Sequence, residues 1–307
     1  MRILFAATAE IGVPTLNALA KNFDVALVLT NPDKPKGRSK KLIPSPIKVE
    51  ANKLNIPVLQ PEKLRGNALK EIASFNCDIL ICFAYGKIFG PKLLSMFFKG
   101  CFNIHPSRLP QFRGSSPIQY AILNNLEKSA ISIQKLSLEV DSGDILSTLD
   151  FEIDKTDTTL SLSEKVSKIC APFAIETFKK VELNDYTTYE QKGDISYTKL
   201  FSKNDSLIDW TKSAIEISAQ VRAFYPWPKA STLYEGKTLF ILGIKDVLDQ
   251  NYPNPGVVIE KIKKQGLVIS CGSGAIIVDK LQLQGKKEMD YNAFLNGHRD
   301  IIEKKLG

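Results

Sequence analysis

The run Asp78-Ile79-Leu80-Ile81-Cys82-Phe83 decides how the first half of this chain folds. Six residues are too few for a buried helix, and the absence of polar alternation means that both faces of the segment need cover. It reads as a central strand. Similar short runs recur at 3–6, 25–30, 101–104, 130–136 and 145–151, with helical patterns at 13–21, 46–54, 64–75 and 117–125 between them. Ser45 before Pro46 gives a hydroxyl cap followed by a proline at the first helical position, a start signal for one of these helices. Apolar strands alternating with helices predict an open, mostly parallel α/β sheet. Ligands of such sheets sit beyond the carboxyl ends of the strands.

The pattern then changes. A long helix is predicted over 160–180, with Val166, Ile169, Phe173 and Phe178 as its apolar residues. From 184 to 204 the chain turns polar and loses its periodicity, which reads as a linker. A helical stretch at 214–223 is followed by short strands at 237–243, 256–263, 267–270 and 275–283, punctuated by Gly and Asn-Pro. That spacing predicts a small closed β barrel. Two domains result, 1–183 and 205–307, joined by 184–204.

Composition narrows the class of function. No apolar run among the 307 residues is long enough to span a bilayer, and Met1-Arg2 leads into Ile3-Leu4-Phe5-Ala6 without a signal-peptide pattern. A cytoplasmic protein with no membrane association is expected. Five scattered cysteines and two histidines argue against a zinc site and a disulfide scaffold, and for buried, inert thiols. The net charge of +8 suggests a polyanionic partner. Between residues 34 and 48 the chain carries Lys34, Lys36, Arg38, Lys40, Lys41 and Lys48 with no intervening acid after Asp33. Pro35, Gly37 and Pro44 in the same stretch favour a shaped, exposed loop over a charged helix face.

The chemistry is concentrated in Asn103-Ile104-His105-Pro106-Ser107-Arg108-Leu109-Pro110-Gln111-Phe112-Arg113-Gly114. Residues two apart on a strand share a face, so Asn103 and His105 are delivered together while Ile104 enters the core. Pro106 lacks an amide donor and ends the ladder there. The strand at 130–136 feeds Glu139-Val140-Asp141-Ser142-Gly143-Asp144, whose carboxylates can face the imidazole. An amide, an imidazole and a carboxylate, without a Ser or Cys nucleophile or a metal, suit direct acyl transfer to an amine. The amide hydrogen-bonds the oxyanion, worth about 3–4 kcal/mol by comparison with a lost oxyanion-hole donor. The imidazole moves protons, oriented by the carboxylate. No Gly-x-Gly-x-x-Gly follows the first strand, which disfavours a dinucleotide-dependent oxidoreductase.

These residues, with Pro117-Ile118-Gln119 and Asp141-Ser142-Gly143-Asp144, resemble the signature of the formyltransferases that use 10-formyltetrahydrofolate. The resemblance implies that Asn103, His105 and Asp141 are catalytic. It implies folate contacts at Ser107, Arg108, Leu109 and Pro110, and at Phe83, Tyr85, Gly86, Lys87 and Ile88, and it makes Leu109-Pro110 a candidate cis peptide. The likeness extends over nearly the whole chain and is greatest to the branch that formylates methionyl-tRNA. On that branch the segment 36–48 resembles a basic insertion loop, and Ile208-Asp209-Trp210, Val221-Arg222-Ala223-Phe224, Pro226-Trp227-Pro228 and Gln284-Gly285-Lys286-Lys287 resemble a carboxyl-terminal OB-like domain.

The fold class implied is α/β, an open mostly parallel Rossmann-like sheet with an OB-like β-barrel domain. The implied co-substrate is 10-formyltetrahydrofolate without a metal, and the partner is initiator methionyl-tRNA, bound through Lys36, Arg38, Lys40, Lys41, Lys286 and Lys287 by a monomer. The alternatives are formylation of a nucleotide-sugar amine and a non-catalytic tRNA-binding protein of the same fold. Trp227, between two prolines, reads as a packing anchor. Three departures from the family pattern are Ala7-Thr8-Ala9 in the opening loop, Arg108 in place of a leucine, and Gln111 where a basic residue is usual.

Overall fold

The computed structural model describes residues 1–35 and 42–307. They form two compact units. The first comprises Met1–Pro117, Lys128–Glu152 and Ser163–Lys199, and the second Ile118–Glu127, Ile153–Leu162 and Leu200–Gly307.

The main sheet of the first unit has the strands β1 (Arg2–Ala7), β2 (Asp24–Leu29), β3 (Val58–Leu59), β4 (Ile79–Phe83), β5 (Cys101–His105), β6 (Lys128–Lys135) and β7 (Ile145–Glu152). They make one sheet in the order β7-β6-β5-β4-β1-β2-β3. The pairings from β5 to β3 are parallel, and β6 is antiparallel to both β5 and β7. All of β4 is buried, as its unbroken apolar sequence requires. The chain leaves β1 towards β2 and β3, then returns to place β4 on the other side of β1. That reversal opens a crevice at the carboxyl ends of the two strands. There the Thr8 amide donates to the Ala84 carbonyl (3.1 Å), and Asn31 Nδ2 donates to the Tyr85 carbonyl (2.8 Å).

The helices of this unit are α1 (Val13–Asn22), α2 (Pro46–Lys53), α3 (Asn67–Ser74) and α4 (Pro91–Leu94). Ser45 caps α2 as expected, its hydroxyl accepting from the Lys48 amide at 3.1 Å. The helix α5 (Pro117–Leu123) precedes β6, and α6 (Thr159–Glu182) follows β7. On α6 the fully buried positions are Leu162, Val166, Cys170, Ala174, Phe178 and Val181. Ile169 and Phe173, expected on the apolar face, are half-buried instead. The small Cys170 lets α1 approach closely, since the Thr15 hydroxyl reaches its sulfur at 3.6 Å. The segment read as a linker is hydrogen-bonded to this unit as far as Thr198. Tyr189 exchanges backbone hydrogen bonds with Ile145 (2.8 and 3.0 Å), and Tyr197–Thr198 runs parallel to Arg113–Gly114.

In the second unit the strands are β8 (Ala230–Tyr234), β9 (Lys237–Leu248), β10 (Val258–Ile262), β11 (Gly266–Ser270), β12 (Ala275–Leu283) and β13 (Met289–Asp290). They pair antiparallel in the order β8-β9-β12-β11-β10, with β13 on β12. The register of β9 on β12 shifts between Ile241 and Asp246, and such irregularities bend a long strand. Among the described residues no ladder joins β8 to β10, so the strand path is open there. The helices α7 (Ala214–Ala223) and α8 (Tyr291–Gly297) contribute Ile217, Val221 and Phe294 to the core over this sheet. Ser213 and Glu216 form a capping box at the start of α7. Trp227 is 49% exposed, so it is not the packing anchor expected of it. Trp210 fills that role, buried with its indole N–H on Thr232 Oγ1 at 3.0 Å.

All five cysteines are buried. Burial pushes the Cys77 thiol up to about 11 and those of Cys82, Cys101, Cys170 and Cys271 to about 12. A raised thiol stays protonated at neutral pH and is a poor nucleophile. Iodoacetamide at pH 8 is therefore expected to modify none of the five in the native protein and all five in urea, as read by mass spectrometry. Rapid native labelling of any one would contradict the packing described.

Candidate active site

The strand β5 ends in Asn103-Ile104-His105, and its pleat separates the three side chains as predicted. Ile104 is 1% exposed in the core, whereas Asn103 and His105 lie on the opposite face with Asp141. Asp141 follows β6 on a tight turn and has φ +53°, a left-handed conformation rare for a residue with a side chain. Gly143 makes the turn possible by lying against the strand. A Cβ there would collide with the Lys135 carbonyl oxygen.

The Asp141 carboxylate organises the site. Its Oδ1 accepts from Asn103 Nδ2 at 3.0 Å and from Gln134 Nε2 at 2.8 Å. Its Oδ2 accepts from the Gly114 amide at 2.8 Å and lies 3.5 Å from His105 Nδ1. His105 Nε2 is 2.9 Å from the Phe112 carbonyl. Both ring nitrogens thus face oxygen atoms. The Asn103 amide has two hydrogens, and Asp141 takes one.

The loop after β5 is drawn onto β6. Ser132 Oγ donates to the Ser107 carbonyl at 2.7 Å and accepts from the Leu109 amide, while Ser107 Oγ donates to the Gln111 carbonyl at 2.6 Å. The Leu109-Pro110 bond is cis, as the resemblance implied. Gln134, Gln191 and Arg113 also belong to the site, and the sequence reading assigned none of them a role. Gln134 could have been found from the alternation of β6. Gln191 had no local signal, because it reaches the site from a stretch without periodicity.

The remaining expected residues are distributed as follows. Phe83, Tyr85 and Ser107 are almost wholly buried, so their side chains serve the core, and Tyr85 stacks on Phe89 with ring centroids 5.5 Å apart. Leu109 and Pro110 are also buried. Gly86 has φ +80°, and Lys87 Nζ donates to the carbonyls of Pro61 and Glu62. Ile88 is 76% exposed. Arg108 is exposed and paired with Asp150 of β7. Lys36, Arg38, Lys40 and Lys41 lie outside the described residues.

Lys286 and Lys287 stand on the exposed turn after β12, and among the described residues neither has an ion-pair partner. Nearby Glu288 is hydrogen-bonded by Lys229 at 2.9 Å and faces Lys280 at 3.4 Å, which hold its carboxyl below the usual range. Among the described residues no group of three or more His, Cys, Asp or Glu side chains could hold a metal ion, and no helix is long and apolar enough to cross a membrane.

Two concavities of about 470 Å³ lie elsewhere in the first unit. One is at the amino ends of β1 and β2 beside Arg2, Phe23 and Pro57, and the other is beside β7 with Thr177 and Tyr186. Neither holds converging side chains like those around Asp141.

Residues 1–175 match the formyl transferase family and residues 200–299 match the formyl transferase C-terminal domain. The chain belongs to the formyl transferase family. A relative from Treponema denticola, named methionyl-tRNA formyltransferase, is 37% identical over 99% of this formyl transferase and 98% of its own length. In fold it resembles an N-formyltransferase from Helicobacter canadensis, solved with folinic acid and dTDP-3-aminofucose, with a TM-score of 0.67, 20% identity and coverage of 94% and 99% of the two chains. It also resembles a HypX variant from Aquifex aeolicus (TM-score 0.65, 15% identity), aligning over 99% of its own length but only 50% of the HypX chain.

The close approach at Gly143 gives a local test. Gly143→Ala must shift either the turn or β6, and a loss of about 1–3 kcal/mol in urea unfolding is expected, as for an overpacked site. Unchanged stability would mean that the turn is looser than described.

Proposed function

We propose that this formyl transferase passes the formyl group of 10-formyltetrahydrofolate to the α-amino group of methionyl-initiator-tRNA. The observation that carries the reading is the Asp141 carboxylate, bonded to Asn103 and facing His105 at the carboxyl end of β5. The name and full-length similarity of the Treponema denticola relative support the acceptor, and the folinic acid of the Helicobacter canadensis structure supports a folate donor.

In the proposed reaction the methionine amine attacks the formyl carbon and a carbon–nitrogen bond forms. The formyl oxygen becomes an oxyanion, which the second Asn103 hydrogen and the His105 Nε2 proton stabilise. A neutral peptide carbonyl is a weaker acceptor than an oxyanion, so the developing charge draws that proton from Phe112. His105 then conducts a proton from the attacking nitrogen to N10 as the N10–formyl bond breaks. The products are formyl-methionyl-tRNA and tetrahydrofolate, with no net change in protons. Asp141 orients both donors and compensates charge on the ring. The reaction needs no metal.

The folate-contacting segments are Ser107 to Pro110 and Phe83 to Ile88. Arg108 and Ile88 offer side chains to solvent and Lys87 is tied to the Pro61 and Glu62 carbonyls, while the buried Phe83, Tyr85 and Ser107 hold the backbone beside them. Catalysis is assigned to 1–183 together with the hydrogen-bonded stretch that follows it as far as Thr198, and tRNA binding to 205–307. Lys36, Arg38, Lys40, Lys41, Lys286 and Lys287 take tRNA phosphates. The enzyme acts as a monomer in the cytoplasm.

Incubating the protein with 10-formyltetrahydrofolate and charged initiator tRNA should yield formyl-methionine. Asn103→Ala should lower kcat by about 10²–10³-fold and His105→Ala by about 10²–10⁴-fold, each leaving folate affinity nearly unchanged. Either variant turning over at the wild-type rate overturns the mechanism. A dTDP-amino sugar formylated in preference to tRNA overturns the acceptor.

Phosphate binding should also appear as salt dependence. Replacing Lys286 and Lys287 by Gln should weaken tRNA binding and flatten the slope of log affinity on log salt by about 0.7–0.9 for each phosphate no longer neutralised. An unaltered slope would remove these two lysines from the interface.

A further inference from the structure

The amide of Gln191 spans the groups that fix Asp141. The two hydrogens of its Nε2 are shared among three acceptors, the carbonyls of Asp141 (2.9 Å) and Gly143 (2.8 Å) and Gln134 Oε1 (3.1 Å). Its Oε1 accepts from Arg113, from Nε at 3.1 Å and from Nη2 at 2.8 Å. Turning the amide over would set an oxygen against three oxygens and an NH₂ group against guanidinium donors, so this orientation is chemically determined. Arg113 is 6% exposed, and its cation is further met by Glu139 at 3.5 Å and the Tyr197 hydroxyl at 3.4 Å.

We infer that Gln191 is a positioning residue for formyl transfer, acting through Asp141 without touching the reacting atoms. Resting on the function proposed above, this inference draws on hydrogen bonds that the triad itself does not use. Asp141 has φ +53°, and a strained conformation persists only where its surroundings over-determine it. Gln191 ties down the carbonyls on both sides of Ser142, the turn that carries the carboxylate. It also fixes Gln134, whose own amide holds Asp141 Oδ1 at 2.8 Å. Arg113 polarises the Gln191 amide and strengthens it as a donor in a site shielded from water. The path of hydrogen bonds therefore runs from a buried cation, through one amide into the backbone and another amide, to the carboxylate that Asn103 and His105 share.

The polar character of residues 189–198 follows from this task. Ser196 and Thr198 bind the same neighbourhood. Ser196 Oγ accepts from the Phe112 amide at 2.9 Å, and the Thr198 carbonyl lies only 2.7 Å from where a Cβ on Gly114 would stand. Gly114 has φ +107° and donates its amide to Asp141, so this part of the strap reaches the same carboxylate from its other side.

The test uses the full-length protein with Gln191→Ala, Gln191→Glu and the exposed neighbour Lys192→Ala. Gln191→Glu keeps the shape and the Arg113 pairing but replaces the donor by an oxygen set against three acceptors. In single-turnover formylation of methionyl-tRNA, both Gln191 variants should lose 10- to 100-fold in rate, with tRNA and folate affinities within threefold of wild type. Lys192→Ala should be unchanged. The imidazole ¹⁵N shifts of His105, isolated in a His298→Gln background, should move in the two Gln191 variants and not in Lys192→Ala. Unaltered rates in both Gln191 variants, or unaltered His105 shifts in both, overturn the positioning role.

If the parent protein formylates no methionyl-tRNA, the functional reading fails, and the His105 spectra still decide the positioning. If Gln191→Ala does not fold, the isosteric Gln191→Glu decides the matter by the same two readouts.

Discussion

The structure around the reacting groups depends on one carboxylate with all its acceptor positions occupied. A carboxylate offers about four acceptor sites, and those of Asp141 meet Asn103, Gln134, the Gly114 amide and the His105 ring. These partners come from two strands and a loop that are remote in sequence. Removing the charge would leave several donors aimed at one another in a partly buried site, where unsatisfied polar groups are costly. The geometry of the amide and imidazole is therefore a property of the carboxylate as much as of β5.

The sheet supplies the frame for that carboxylate. Parallel strands buried on both faces bring their carboxyl ends to one edge, and β5 delivers two side chains there by its pleat alone. The turn after β6 brings the third. The turn is held by close backbone approach at Gly143, by the non-glycine left-handed conformation at Asp141, and by Gln191 from outside. The same hydrogen bonds explain why residues 189–198 lack apolar periodicity, because they satisfy polar partners and fill no core. The second unit contributes an antiparallel sheet with Lys286 and Lys287 on an exposed turn.

How much of this was legible in the sequence depended on whether the signal was local. The strands β1, β2, β4 and β5, the cap at Ser45, and the shared face of Asn103 and His105 follow from patterns within a few residues. The resemblance to the formyl transferases added Asp141 and the cis Leu109-Pro110 bond. On α6 the apolar residues Ile169 and Phe173 misled, because close approach to α1 puts the small Cys170 and Ala174 inside instead. Trp227 misled for a related reason, since size suggests burial but its neighbours left it half exposed. Gln134 and Arg113 could have been suspected as polar residues on or beside strands. Gln191 could not, because its 50-residue separation from Asp141 leaves no trace in any local window.

The most direct measurement of the central claim is the turnover of Asp141→Asn with methionyl-tRNA and 10-formyltetrahydrofolate, taken together with its folate affinity. The substitution keeps size and shape but places an NH₂ group against either the His105 and Gly114 donors or those of Asn103 and Gln134. Folate binding close to that of the parent protein and a kcat at least 100-fold lower are expected. Turnover at the parent rate would show that the carboxylate is not what holds the reacting groups in place.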